Sequence, residues 1–138
     1  MRFRIPRRRG AALVEFAVIG PVFLFLVIAL IVGGIGIFRY QEVASLAREG
    51  ARYASVRGTK YQQSTGNPAA TPTDVFNDVI SPGAVALDPT QLTYDVSWLG
   101  GSKQQGGQVT VKVTYQWIPE AFLGGITLSS TSTMTITY

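Results

Sequence analysis

The sequence predicts an α+β membrane protein. One long N-terminal transmembrane helix continues into an amphipathic helix and is followed by a small antiparallel β-sheet domain of about three or four strands. Three observations support this class. Residues 16–38 carry no charge, residues 40–54 repeat apolar side chains at helical spacing, and the segments after residue 91 alternate apolar and polar side chains.

The uncharged run is long enough to cross a membrane. Its 23 residues would form a helix of about 34 Å at about 1.5 Å per residue, and the hydrocarbon core of a bilayer is about 30 Å thick. A secretory signal peptide has an apolar region of only about 7 to 15 residues. The run therefore predicts a retained transmembrane helix over residues 11–38, with the lipid bilayer as its surroundings.

Basic residues are concentrated ahead of this run. Residues 1–10 hold five arginines, and the rest of the chain has seven basic and eight acidic residues. By the positive-inside bias, the leader of residues 1–10 is cytoplasmic and the chain after about residue 40 is extracytoplasmic, as in a single-pass protein of the bacterial inner membrane. Because no basic surface remains beyond the leader, nucleic acid is not expected as a partner.

The composition also excludes most catalytic and metal chemistry. The chain has no cysteine and no histidine, so it lacks thiol nucleophiles, imidazole bases and soft metal ligands. The remaining acids of the C-terminal part follow no calcium-loop spacing. Neither a nucleophile motif nor a phosphate-binding loop accompanies its serines and lysines. We therefore expect no metal, no cofactor, no small-molecule substrate and no enzymatic activity.

The segment after the membrane run predicts a second helical stretch over residues 39–58. Its apolar strip consists mainly of alanine, which suits close packing against a partner helix or against the chain's own domain. Gly58 is expected to end it. The strip is formed by Tyr40, Val43, Ala44, Ala47, Ala51 and Ala54.

The C-terminal part, residues 73–138, is predicted to be the β-rich domain. Residues 59–72 before it are polar and without periodicity, which predicts a flexible loop. A short helix over 73–80 would be capped by Thr71 or Thr73 and ended by Pro82-Gly83. Strands are then predicted over residues 92–98, 108–117 and 126–138, with a hairpin turn at 99–107.

Small residues in the membrane run form a candidate packing surface. Ala29, Gly33 and Gly36, with Gly34 beside them, would let another helix approach closely. The alternative is that glycine is simply common in spanning helices.

Glu15 is the unusual residue of the apolar block, because an acid inside the bilayer costs on the order of 3 kcal/mol. It follows a basic leader that ends in Gly10 and four small or apolar residues, and it precedes Phe16 and the long helix. This arrangement resembles a type IV prepilin signal. Together with the stretch QEVASLAREGARYA over residues 41–54, it resembles the TadE-like family of tight-adherence (Tad) pilus systems.

The resemblance implies cleavage after Gly10 by a membrane prepilin peptidase, which would leave Ala11 as the new N-terminus and Glu15 as the fifth mature residue. Residues 11 and 15 are four positions apart and share a helix face, so the new ammonium could meet the carboxylate within one subunit or between neighbours. The attraction within such a pair would roughly offset the cost of removing its two charges from water, so the pair would specify the register of packing more than it would add stability.

The function implied is that of a minor pilin or pseudopilin-like component of a Tad-type pilus. Its partners would be other pilins or pseudopilins, the peptidase and the pilus assembly platform. By resemblance, the major pilins of this system are much shorter, which favours a minor component. The alternatives are an uncleaved, single-pass envelope protein with a sensor or scaffold domain and, last, a membrane-tethered enzyme, which would need a cleft with perturbed acids.

Overall fold

The structure is a computed structural model that describes residues 9–119 and 124–138. A long N-terminal helix leads into a small antiparallel sheet, in which β2 lies between β1 and β3. This confirms the predicted α+β class. The α-helices are α1 (Arg9–Ser55), α2 (Thr59–Thr65), α3 (Pro72–Val75) and α4 (Ser81–Gly83), and the strands are β1 (Leu92–Trp98), β2 (Gln108–Trp117) and β3 (Ile126–Thr135).

The chain divides into two compact units, the first ending at Ile35 and the second running from Gly36 to Tyr138. The first unit is the N-terminal part of α1, which continues through Pro21. Proline lacks an amide donor, and neighbouring groups can compensate for that loss within a membrane. The second unit contains the rest of α1, the short helices and the sheet.

The sheet is a meander whose central strand supplies much of the core. β1 pairs with β2 from Leu92 opposite Tyr115 to Trp98 opposite Val109, and β2 pairs with β3 up to Trp117 opposite Ile126. Every second side chain of β2 is buried, which confirms the predicted alternation. These buried residues are Val109, Val111, Val113, Tyr115 and Trp117.

The C-terminal part of α1 packs against this buried face. A Cβ built on Gly36 would lie 2.6 Å from Trp117 Cζ3, and one built on Gly50 would lie 3.2 Å from Val111 Cγ1. Helix and strand therefore run antiparallel. From residue 36 to 50 the helix rises about 21 Å, and from 117 to 111 the strand covers about 20 Å, so the two elements stay in step.

The sequence left open whether the alanine-rich strip packs against a partner helix or against the chain's own domain. In the structure it packs against the chain's own domain. Tyr40 at the start of the strip is exposed and Ala44 is half-buried, whereas the rest of the strip is buried. The buried side chains on this part of α1 are Val43, Leu46, Ala47, Ala51 and Ala54.

The segment between α1 and the sheet differs from the prediction in two ways. Residues 59–65 form the helix α2 where a flexible loop was expected, and α1 ends at Ser55, before Gly58. No residue of α2 is buried, so it has no apolar periodicity for a sequence pattern to reveal. Its last turn is closed by Gly66, which has a positive φ of 75° and donates its amide to the Gln62 carbonyl.

The predicted short helix is present and begins one residue earlier, at Pro72, with Thr71 as its N-cap. Thr71 Oγ1 accepts from the Asp74 amide and the Asp74 carboxylate accepts from the Thr71 amide, which completes a capping box. A π-helical stretch, Phe76–Ile80, follows before α4. Pro82 lies within α4, and a wider turn before a proline relieves the clash of its ring with the preceding carbonyl.

The chain's C-terminus closes over the turn that follows α1. The Gly58 amide donates to the Tyr138 carbonyl at 2.9 Å, and the Thr137 amide donates to the Ser55 carbonyl at 2.9 Å. A Cβ on Gly58 would lie 2.5 Å from the Lys103 carbonyl oxygen and 2.6 Å from that of Tyr138. Glycine is needed here for close approach of two backbones.

Candidate functional site

The N-terminal part of α1 exposes nearly all of its large apolar side chains. Phe16 is 75% exposed and Phe25 is 74% exposed, and the same holds along the run between them. α1 is long and apolar enough to cross a membrane, and its most apolar stretch has a mean hydropathy of 2.8 with none of it buried. A contiguous apolar surface of this kind indicates a lipid or partner-helix environment, which suggests membrane anchoring.

The predicted processing site lies in the first turn of α1. Gly10 is helical and exposed, and Ala11 is helical; residues 1–8 of the predicted leader lie outside the described part of the chain. The helical backbone at Gly10 differs from the extended backbone that a protease cleaves. The first-turn amides of a helix have no intrahelical partners, so this turn is the one most easily opened.

Glu15 lies one turn beyond Ala11 on the same helix and is exposed among the apolar side chains. Its neighbours Leu13, Val14 and Phe16 are all exposed as well. The backbone therefore provides the four-residue spacing on which the predicted pair of charges depends. The pair itself stays a prediction, because it requires the ammonium group created by cleavage.

The three predicted helix-packing residues have different surroundings. Ala29 and Gly33 are exposed, and a Cβ on Gly33 would meet no atom within 4 Å. This surface stays available for the predicted partner helix. Gly36 instead faces the Trp117 ring of the chain's own sheet. The sequence pattern did not reveal this intramolecular neighbour, because a glycine indicates close approach of another group without showing which group that is.

The junction around Gly36 also includes Arg39, the first charge after the apolar run. Arg39 Nη1 donates to Tyr115 Oη at 3.1 Å, and the guanidinium lies 5.5 Å from the Trp117 ring centroid. Trp117 is 3% exposed, and its Nε1 is buried without an acceptor among the described residues. These contacts join the end of the apolar run to the end of β2.

A polar pocket of about 210 Å³ opens beside this junction. It contains one cation, one carboxylate, two side-chain amides, a phenol and an apolar side chain. Hydrogen bonds from the Thr90 side chain and then from its amide lower the pKa of Asp88, so this carboxylate is ionised at neutral pH. The lining residues are Arg39, Asp88, Gln91, Tyr115, Gln116 and Ile118.

Glu42, one turn further along α1, holds the segment that leads into β1. Its Oε1 accepts from the Ala86 amide at 2.9 Å, and its Oε2 is buried without a donor among the described residues. Sequence reasoning missed this role, because an acid beside an alanine strip has the same pattern as a solvated helix face. The only signal was the position of Glu42 next to the buried Val43.

A second cross-link joins α1 to the π-helical stretch. Tyr53 Oη donates to Asp78 Oδ2, and the Arg57 guanidinium lies 3.7 Å from the Tyr53 ring centroid. Burial, followed by the hydrogen bond to the Asp78 carboxylate, raises the pKa of Tyr53 to about 12. The phenol therefore stays neutral and works as a hydrogen-bond donor.

The described residues bring no catalytic or metal-binding set together. In residues 9–119 and 124–138, no group of three or more acidic side chains could hold a metal ion, and the predictions of no metal and no cofactor stay predictions. The described residues instead provide an apolar helix, a small sheet domain and a polar pocket. What such parts can do chemically is bind, through apolar packing and hydrogen bonds.

Comparison with known proteins agrees with the resemblance noted in the sequence. The family model described as TadE-like protein matches residues 10–52, which is about a third of the chain. No match was found among curated proteins or among solved structures. The matched stretch begins at the predicted processing site and ends on the part of α1 that packs against the sheet. Residues 10–52 of this chain are therefore a TadE-like segment, which suggests a component associated with a Tad pilus.

Proposed function

We propose that this protein is a minor pilin or pseudopilin-like component of a Tad-type pilus assembly system. It is anchored in the bacterial inner membrane with its N-terminus in the cytoplasm, and its sheet domain lies on the other side. The TadE-like match over residues 10–52 carries this proposal. Such a component acts by assembly and is structural, not catalytic.

The exposed apolar surface of α1 supports the assembly role. A single helix that exposes side chains such as Phe16, Phe23 and Phe25 can exchange lipid for neighbouring helices at little cost, because the two environments are similarly apolar. Helices packed in this way can leave the bilayer together. The small surface at Ala29 and Gly33 provides a place for close approach.

The proposed maturation step acts on the first turn of α1. A prepilin peptidase would cleave after Gly10, remove the arginines and leave an ammonium group on Ala11. Glu15 would then accept that ammonium as a partner, in the same subunit or a neighbouring one. Loss of the leader arginines would also remove the charges that hold the N-terminus at the cytoplasmic surface.

An uncleaved, membrane-anchored envelope protein with a sensor or scaffold domain is the second candidate. The helical backbone at Gly10 favours it, because a protease must first open this turn. In that case Glu15 would lie near the cytoplasmic headgroups and would have no role in assembly.

Replacement of Glu15 by glutamine tests the proposed role. The Glu15→Gln variant should insert into the membrane as the parent does and should co-purify poorly with other pilins of the same system, because the register-setting charge is gone. Glu49→Gln is the matched control, since Glu49 is an exposed acid on the same helix outside the apolar run. Equal co-purification of both variants with those pilins would argue against the proposal.

A further inference from the structure

One end of the sheet lies at the level of the last turn of the apolar run. Trp117, at the end of β2, contacts Gly36, which lies two residues before Phe38, where the uncharged run ends. Because α1 and β2 run antiparallel and in step, the opposite end of β2 lies about 30 Å away along the strand. If the run crosses a bilayer, Trp117 sits at its outer interface.

The residue after Trp117 is a large apolar side chain with no cover in the described structure. Ile118 is 70% exposed, and Ile126, which is paired with Trp117 across the sheet, is 43% exposed. Ile37 and Phe38 on the adjoining turn of α1 are also exposed. This end of the domain therefore exposes four apolar side chains, two on the strand side and two on the adjoining helix turn, and water solvates such side chains poorly.

Polar groups adjoin this apolar surface. The pocket that contains Arg39, Asp88 and Gln116 is also lined by Ile118. Apolar side chains, an aromatic ring and an arginine that lie close together in space are typical of the bilayer interface, because ring, cation and headgroup then lie at the same depth. If Trp117 lies at the outer interface, the pocket beside it lies at the depth of the lipid headgroups.

We propose that this end of the sheet domain, formed by Trp117, Ile118 and the pocket around Arg39, rests on the outer surface of the phospholipid bilayer. Ile118 then lies against the headgroup and upper acyl region, and the pocket faces the headgroups. The domain would be held in a fixed orientation by two membrane contacts, the helix and this surface. The inference rests on the anchoring part of the proposed function.

Cysteine labelling tests this contact directly, because the chain has no cysteine of its own. The full chain with Ile118→Cys is labelled with a nitroxide and reconstituted into phosphatidylethanolamine and phosphatidylglycerol vesicles. Collision with oxygen, which concentrates in lipid, is compared with collision with a water-soluble nickel chelate. Leu99→Cys is the matched control, since Leu99 is also 70% exposed and lies beyond the opposite end of β2.

A third label at Phe25→Cys reports whether the helix is in the bilayer at all. We expect the oxygen-to-nickel collision ratio to be highest at position 25, several-fold lower but clearly lipid-like at 118, and water-like at 99. A lipid-like value at 25 with equal values at 118 and 99 would overturn the inference and leave the anchor intact. A water-like value at 25 would overturn both.

A label at position 118 that neither oxygen nor the nickel chelate reaches would mean that a protein copy covers this surface. This result would also overturn the inference. Tryptophan fluorescence supplies a second readout that leaves Ile118 unchanged. In a Trp98→Phe variant, Trp117 is the remaining tryptophan, and lipids brominated near the headgroup should quench it. Absence of quenching in vesicles where the position 25 label is lipid-exposed would contradict the contact.

Discussion

Replacement of Gly36 by alanine perturbs the junction between α1 and the sheet. The added Cβ would lie 2.6 Å from Trp117 Cζ3 and 3.1 Å from Cη2, roughly 1 Å closer than carbon atoms normally pack. The ring is nearly fully buried and cannot move away without disturbing its own contacts. Overpacking of this kind typically costs about 1–3 kcal/mol.

Gly33→Ala is the matched control for this variant, because it makes the same substitution in the same helix where no atom lies within 4 Å. Both variants gain the helix propensity of alanine over glycine, about 1 kcal/mol, so this contribution cancels when they are compared. Gly36→Ala should therefore be less stable than Gly33→Ala by about 1–3 kcal/mol. For a unit of this size the difference is about 4 °C or more in Tm.

Thermal unfolding of the purified full chain in detergent micelles, followed by tryptophan fluorescence, measures this difference. The emission of Trp117 should also shift in Gly36→Ala at temperatures where the protein is still folded, since the ring must move. Equal Tm values for the two variants, together with unchanged emission, would refute the contact between α1 and the sheet from which the membrane level of Trp117 is derived.

Two further predictions concern the second unit. Gly58→Ala should lower the free energy of unfolding by about 2 kcal/mol or more, because its Cβ would collide with the carbonyls of Lys103 and Tyr138. Urea unfolding measures this free energy, and an unchanged value would contradict the prediction. Tyr53 should ionise near pH 12, and Asp78→Asn should lower that pKa because the hydrogen bond to the carboxylate is lost. Because an unfolded tyrosine ionises near pH 10 and the native Tyr53 does not, the free energy of unfolding should fall as the pH rises from 10 to 12. The pKa of Tyr53 is measured by NMR titration of ¹³C-labelled tyrosine, and an unchanged value in Asp78→Asn would argue against the hydrogen bond.

The strands could be predicted because burial on one face leaves a direct mark on the sequence. β2 alternates valine and aromatic residues with polar ones from Val109 to Trp117, and its bounds match the predicted range. β3 was predicted to reach residue 138 and ends at Thr135. The residues after Thr135 instead make tertiary hydrogen bonds, as from the Ile136 amide to the Gly107 carbonyl and from the Thr137 amide to the Ser55 carbonyl. Such tertiary pairing has no sequence pattern.

The long apolar helix was also predictable, since hydrophobicity and length are properties of the sequence itself. The helix α2 was not, because all its residues stay accessible and polar helices look like loops in a hydropathy pattern. Its stability comes from contacts around it, such as the bond from the Thr59 amide to the Lys103 carbonyl at 2.9 Å. A contact between residues so distant in the chain cannot be read from spacing.

The candidate site was only partly accessible to sequence reasoning. Gly10 and Glu15 were predicted from a linear signal, which a sequence can carry, and their roles stay predictions. The junction of Gly36, Arg39 and Trp117 depends on how β2 lies along α1, and that follows from matching the rise of a helix to that of a strand in three dimensions. Gly36 was predicted to face a partner helix, and its observed neighbour is an indole ring of the same chain.

N-terminal mass spectrometry of the protein isolated from its native membrane distinguishes a processed, pilin-like component from an uncleaved anchor. We expect a mature chain that begins at Ala11, because a prepilin peptidase would remove the ten-residue leader, and we expect Gly10→Val to abolish this processing. An intact N-terminus that retains the arginines of residues 1–10 would contradict the pilin-like assignment and support the uncleaved anchor.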